Sequence, residues 1–345
     1  MNAFRTVAGL RTRSAEGIDD TAIRAFVETC PDAQLFHLPE WSRAVEAGCG
    51  QRGHYLIAES ESGAIAGLLP LSEIRSRLFG SALVSAGFGV GGGAIGSREA
   101  VDALADAAVE LAATLDCPTV ELRGGAIPAG WRRIESVYAG FARDLPTDDE
   151  AILAAIPRKQ RAEVRRALGY DLQTRIDRDI ELHYRVYAES VRNLGTPVFP
   201  RALFRSMLEA FGDKADIVTV SRDGRPVASV LSFYFKGSVL PYWGGGTMEA
   251  RSWRANELLY FELMRHAVRR GCTCFDFGRS KYGTGAFAFK KNWGFTPEPL
   301  SYSVHGHGRE TNPLNPKYRL QVALWRNVPL WLANRIGPMI ARGLG

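Results

Sequence analysis

Ile217-Val-Thr-Val-Ser-Arg-Asp-Gly-Arg-Pro-Val-Ala-Ser-Val-Leu-Ser-Phe-Tyr234 reads as two apolar runs folded around the polar turn Asp223-Gly224, the dipeptide that most strongly specifies a tight β-hairpin. The same arrangement stands earlier as Tyr55-Leu-Ile-Ala-Glu-Ser-Glu-Ser-Gly-Ala-Ile-Ala-Gly-Leu-Leu-Pro70, with Gly63 in the turn. Each hairpin is followed by an apolar strand ending in a glycine cluster, Gly91-Gly92-Gly93 and then Gly244-Gly245-Gly246. A helical stretch comes next in both copies, over 99–115 and 255–270. In the second, Leu258, Leu259, Leu263 and Val268 mark the buried side. A short strand closes each copy, Cys117-Pro-Thr-Val-Glu-Leu-Arg123 and Cys272-Thr-Cys-Phe-Asp-Phe-Gly278. The copies lie about 155 residues apart, too far for a solenoid repeat and suited to a duplicated domain.

The fold expected is therefore α/β with mixed sheets, in two tandem domains over 1–146 and 147–308, followed by a basic amphipathic helical tail over 309–345. Pro146 interrupts structure at the first boundary, and Thr147 is placed to cap the next helix with Glu150 as its capping-box partner. Pro157 either kinks that helix or restarts a second one.

The 345 residues, 46% hydrophobic and 23% charged, exclude disordered and fibrous classes, and the length favours two domains. Lys and Arg number 43 against 37 Asp and Glu, a formal +6 that permits a nucleic-acid, nucleotide or anionic-membrane partner without requiring one. Five cysteines, Cys30, Cys49, Cys117, Cys272 and Cys274, argue against a disulfide framework and for a reduced compartment. The first 20 residues show no continuous apolar core of a signal peptide, and no window is long and apolar enough to span a bilayer. The expectation is a cytoplasmic protein, with room for a peripheral place on the inner membrane.

No nucleophile elbow, P-loop or His-Glu-x-x-His motif is present. His305 and His307 have no carboxylate or thiol at ligand spacing, so no metal is expected. Chemistry must then come from positioning and polarisation. Phe275-Asp-Phe-Gly-Arg-Ser-Lys-Tyr-Gly-Thr-Gly-Ala-Phe-Ala-Phe-Lys-Lys-Asn-Trp-Gly-Phe295 is the richest stretch, a strand that stops at Gly278 and releases Arg279, Ser280, Lys281 and Tyr282. Polar side chains just past a strand's C-terminal end lie where α/β folds bind ligands. Gly283 and Gly285 let backbone amides turn toward an anion, and Thr284 can cap the helix that follows. The alternative is a solvated surface loop.

The triple glycine 244–246 either cradles an anion or marks a β-bulge. Tyr242 and Trp243 could wall an acceptor pocket, although one of the pair is expected in the core. The loop 247–254 lacks the Arg/Gln-x-x-Gly-x-Gly/Ala pattern that grips the pyrophosphate of coenzyme A. Arg158, Arg161 and Arg165 fall at i, i+3 and i+7, a cationic stripe for a polyanion or simply a solvated face. The tail carries Lys317, Arg319, Arg326, Arg335 and Arg342 with no acidic residue, interleaved with large apolar side chains, the composition of an interfacial helix or of helices packed on a domain.

Residues 275–295 together with Asn193-Leu-Gly-Thr-Pro-Val-Phe-Pro200 resemble the FemAB-related branch of the GNAT-like acyltransferases, in particular the FemAB proteins of exosortase (XrtA/PEP-CTERM) and exopolysaccharide loci. Phe36-His-Leu-Pro-Glu-Trp41, Leu68-Leu-Pro-Leu71, Phe289-Lys-Lys-Asn-Trp-Gly294 and Ile336-Gly-Pro338 extend the resemblance over nearly the whole chain. It implies two tandem GNAT-like domains, with the second as the more active copy. In that family an aminoacyl group passes from aminoacyl-tRNA to an amine on a peptidoglycan precursor, while other relatives use acyl-coenzyme A. The long helical arm that some members use for tRNA is missing here.

The resemblance and the residues together lead to an acyl or aminoacyl transferase with no tightly bound cofactor. Aminoacyl-tRNA or acyl-coenzyme A would be the donor, and an amine of an envelope or polysaccharide precursor the acceptor. The catalytic candidates are Asp276, Lys281 and Tyr282. Tyr242, Trp243, Gly245, Asn256, Arg279, Ser280, Thr284, Lys290, Lys291 and Asn292 are candidates for binding substrate. Contacts with tRNA or an anionic membrane are assigned to Arg158, Arg161, Arg165, Arg319 and Arg326, the membrane contact running through 312–345. The rival reading is a non-catalytic scaffold of an exopolysaccharide or protein-sorting system at the inner membrane surface.

Overall fold

The computed structural model describes residues 3–7, 9–15, 19–308 and 318–344. The tail positions Pro313, Pro316 and Lys317 lie outside the described residues. The chain divides into two compact units, the first drawn from the described residues up to 135 with 300–308 and 339–344, the second from 136–299 and 318–338.

In the first unit the strands Leu10–Ser14, Gly53–Glu59, Ile65–Ser76 and Gly80–Ser85 follow one another antiparallel. Gly80–Ser85 then pairs in parallel with Thr119–Arg123. The helix Arg98–Thr114 makes the crossover, capped by Ser97, and lays Val101, Leu104 and Ala108 on the sheet. The second unit repeats this plan. Ala215–Arg222 and Arg225–Phe235 form the hairpin, Ser238–Gly246 adds the third strand, the helix Ala255–Arg269 crosses over, and Cys274–Asp276 returns in parallel. Asp223 and Gly224 both have positive φ, 48° and 72°, the conformation a two-residue turn needs to match the twist of its strands. The helix buries Leu258, Leu259 and Leu263 and packs Val268 against the core, as its periodicity predicts. Two α/β units of the same plan, with a helical appendage, are thus present.

The divide falls between 135 and 136 instead of at 146, because Tyr138–Gly140 and Ala142–Asp144 pair with Ser280–Lys281, Glu298–Pro299 and Cys274–Asp276 of the second unit. The strand Tyr302–Gly306 leaves the region assigned to the second domain and pairs with Thr119–Arg123 and Arg132–Ile134. Pro157 restarts the chain: one helix ends at Ala155 and the next begins at Arg158. Asp148, not Thr147, caps the first of these. It stands in extended conformation immediately before Asp149 and its carboxylate accepts from Ala151 N at 2.8 Å. All five cysteines are free.

Candidate active site

The strands Ser238–Gly246 and Cys274–Asp276 pair only at Ser238↔Cys274 and Val239↔Phe275, and then part. Ser238–Gly246 runs on against Arg225–Phe235, with Gly244, Gly245 and Gly246 opposite Val230, Ser229 and Ala228. In such an antiparallel ladder alternate residues turn their N–H and C=O away from the partner, here toward the side that Cys274–Asp276 has left. That strand instead follows Ala142–Asp144, and Phe277 N donates to Phe141 O at 2.7 Å. The result is a fork in the sheet.

Helix Ala255–Arg269 supplies the residues at the fork. A side chain at any of the three glycines would collide: a Cβ on Gly244 would lie 2.8 Å from Val230 Cγ2, with the Tyr260 hydroxyl close by at 3.2 Å, on Gly245 2.3 Å from Ser190 Oγ, and on Gly246 2.7 Å from Asn256 Oδ1. The glycines therefore admit Tyr260, Ser190 and Asn256 directly onto the backbone. The ring of Tyr260 also meets Phe277 with centroids 4.7 Å apart, so one side chain reaches both prongs. Burial pushes its phenol up to about 12, and the neighbouring Glu257 charge adds to that. Glu257, three residues earlier on the same face, has its own carboxyl raised, chiefly by burial. Neither residue was among those expected from the sequence. The signal was there: both lie outside the 258, 259, 263 stripe that faces the core.

Past the fork, Gly278 takes φ 69° and turns the chain into the loop. The Asp276 carboxylate accepts from Gly278 N at 2.9 Å and is raised, first by burial, against the opposing effects of that amide and of Lys290. Lys290 is buried on the helix Gly285–Asn292, and its ammonium donates to Gly278 O and Arg279 O, both at 3.0 Å. Burial between Phe141 and Phe277 brings it down to about 7, with the Asp276 charge opposing the fall. Lys290 thus holds the loop by its carbonyls, beside a carboxylate whose charge it compensates.

The remaining candidates separate into several environments. Arg279 lies over the Tyr138 ring at 4.6 Å, and Lys281 and Tyr282 are half-buried, the Tyr282 ring packed at a tilt against Phe287. Thr284 caps its helix, accepting from Phe287 N at 3.2 Å and donating to Lys281 O at 2.7 Å. Ser280 is buried against Ala139, its hydroxyl without a partner. Lys291 and Asn292 are exposed. Trp243 is 5% exposed and packs among Phe199, Phe204 and Phe233, which makes it a core residue, whereas Tyr242 beside it is half-buried.

Arg158, Arg161 and Arg165, with Arg166, line a basin of about 580 Å³ on the helix Arg158–Leu168. Arg166 pairs with Glu163, which also takes Arg254. Among the described residues no three His, Cys, Asp or Glu side chains gather as a metal site, and no helix is long and apolar enough to cross a membrane.

Residues 155–291 match the model of the acetyltransferase (GNAT) domain, the segment that contains the fork and most of the loop. No curated protein matches the sequence. Among solved structures the chain is similar to FemX, at 15% identity with 84% of this chain and 96% of that chain covered and a TM-score of 0.66. It is similar to L-PGS from Bacillus licheniformis, at 15% identity, covering 90% and 98%, with a TM-score of 0.54. A tandem GNAT protein from the clavulanic acid biosynthesis pathway matches at 17% identity, covering 87% and 99%, with a TM-score of 0.54. Residues 155–291 of the second unit are thus similar to a GNAT acetyltransferase domain, and the chain as a whole has a fold like that of FemX and of the tandem GNAT protein.

Proposed function

We propose that the protein is an acyl or aminoacyl transferase whose site is the fork of the second unit. The observation that carries this reading is that Tyr260 and Asp276, both shifted by burial toward the protonated form, lie where the two strands part within the GNAT-matching segment, with the likewise raised Glu257 one turn before Tyr260 on the crossover helix. In the reaction the acceptor amine bonds to the carbonyl carbon of an activated ester or thioester, and the carbonyl oxygen takes the negative charge. The amine proton passes to a carboxylate, Glu257 or Asp276, and the C–O or C–S bond breaks to release the alcohol or thiol with a proton. Backbone amides of the glycine strand would steady the oxyanion, and Arg279 with Lys281 an anionic part of either substrate.

Two observations favour aminoacyl-tRNA over acyl-coenzyme A as donor. The helix Ala255–Arg269 begins at Arg254, in left-handed conformation with its guanidinium on Glu163, behind a loop without the pyrophosphate-gripping pattern. The arginine basin 158–166 has the charge for a phosphate backbone. The acceptor would be an amine of an envelope or polysaccharide precursor.

The test incubates the full chain with acetyl-coenzyme A, a long-chain acyl-coenzyme A or aminoacyl-tRNA, together with amine acceptors, and follows N-acylated product by mass spectrometry. Glu257→Gln is expected to lower turnover at least about tenfold with the fold retained. If no donor is consumed under any pairing, the scaffold reading takes its place.

A further inference from the structure

We propose that the helices Arg319–Arg326 and Leu330–Ala341 present, over residues 319–335, an amphipathic surface that seats on an anionic membrane. One side of this segment is packed. Val322 lies against Gly195, where a Cβ would come within 2.5 Å of it, and Trp325 Nε1 donates to Thr196 O at 3.2 Å. Ala333 is buried, and Gly337 lies against Val198. The other side is bare and apolar: Leu320 is 70% exposed, Leu324 61% and Trp331 69%. Leu320 and Leu324 share a helix face at i and i+4, as do Trp331 and Arg335. Leu194, whose carbonyl takes the Arg326 guanidinium, adds a further side chain that is 60% exposed.

Charge selects the partner. Arg319, Arg326 and Arg335 are exposed, and residues 318–344 contain no Asp or Glu. Exposed leucines and a tryptophan interleaved with arginines, with no acid among them, match the boundary between lipid headgroups and acyl chains. Anionic headgroups there supply the opposite charge. A second copy would set arginine against arginine across the contact.

The experiment is co-sedimentation of the full chain with vesicles of phosphatidylcholine and phosphatidylglycerol, against phosphatidylcholine alone. Binding is expected to be at least about tenfold tighter to the anionic vesicles and to weaken with salt. The triple variant Leu320→Gln, Leu324→Gln, Trp331→Gln should lose about tenfold or more, while Arg319→Gln with Arg335→Gln should lose the preference for the anionic lipid. Should the triple variant melt early, Trp331→Gln alone is expected to weaken binding about threefold at an unchanged melting temperature. Equal binding to neutral vesicles, absence of binding, or a triple variant that binds like the parent overturns the proposal. So does a lipid-free dimer that the triple variant abolishes. None of these readouts depends on transfer activity.

Discussion

The same fork occurs in both units and ends differently in each. In the first, Gly80–Ser85 and Thr119–Arg123 pair in parallel at Leu83↔Val120 and Val84↔Glu121, two steps, as in the second. There the chain turns at Ala86 and Phe88, both with positive φ, and its glycines fold back over the opening. Gly93 N donates to Arg123 O at 2.9 Å, Arg123 N to Ser85 Oγ at 2.7 Å, and the buried Arg123 guanidinium to Gly89 O at 3.0 Å. The first fork is stitched shut by its glycine cluster. In the second unit the corresponding cluster stays in the strand, and Tyr260 and Asn256 lie against it. Duplication has kept the backbone plan, and similar glycine runs serve a closure in one copy and a close approach of side chains in the other.

The hardest test of this contrast substitutes the cation that organises each fork. Lys290→Met leaves two carbonyls without their donor and Asp276 without its compensating charge. It is expected to cost about 1–3 kcal/mol of stability, and by displacing the loop roughly a hundredfold in kcat/KM. Arg123→Met should cost a similar 1–3 kcal/mol or so and leave kcat/KM unchanged. Urea unfolding and a transfer assay on both variants decide it, and the reverse pattern would move the site to the first unit.

Glycine replacement comes next in size. A Cβ on Gly93 would stand 2.0 Å from the carbonyl oxygen of Gly124, which is backbone and cannot swing away. On Gly245 the obstacle is the Ser190 side chain, at 2.3 Å. Gly245→Ala is expected to cost about 1–3 kcal/mol, most of it recovered by Ser190→Gly, while Gly93→Ala should cost more and have no such rescue. Melting temperatures of the four proteins check this. Rescue of Gly93→Ala by any neighbouring side-chain truncation would mean the first fork is looser than its hydrogen bonds indicate.

Much of this plan was legible in sequence because it is written locally. Asp223-Gly224, the 258, 259, 263 stripe, the restart after Pro157 and the Thr284 cap each depend on a few adjacent residues. Long-range pairing was not legible. Nothing in Ser-Val-His at 303–305 announces a partner strand at 119–123. That Trp243 belongs to the core follows from Phe199, just before the helix Arg201–Phe211, and Phe204 within it, whose approach no local pattern encodes. Burial of Lys290 was hidden for the same reason: Phe141, one of the rings beside it, lies about 150 residues away in sequence. Glu257 and Tyr260 could have been found by asking which polar residues of the crossover helix flank its apolar stripe.

Titration gives a smaller, graded effect. His183 is fully buried in the second unit, its Nδ1 against Ser229 Oγ at 3.0 Å, and burial brings it down to about 3. The fold holds it neutral, so its contribution is intact above the ordinary histidine value and is lost as pH falls from about 6.5 toward 3, with a slope of up to ~1.36 kcal/mol per pH unit. Urea midpoints between those limits should fall less steeply in His183→Gln. Lys290 acts on activity instead. Because it titrates at about 7, transfer should decline as pH rises through that value, and this limb should vanish in Lys290→Met.

Ser280 carries the smallest expected change and the sharpest distinction between the forks. Its hydroxyl is buried without a hydrogen-bond partner in the loop that Lys290 holds. An orphaned hydroxyl of this kind costs stability, so Ser280→Ala should be neutral or gain up to about 1 kcal/mol in urea unfolding. If transfer is also unchanged, the hydroxyl is a tolerated defect, and the loop contributes through Arg279 and Lys281 alone. If the variant gains stability but loses turnover, the hydroxyl finds its partner only when substrate is bound. The second fork would then hold a donor or acceptor reserved for ligand, while at the first fork Ser85 Oγ already accepts from Arg123 N.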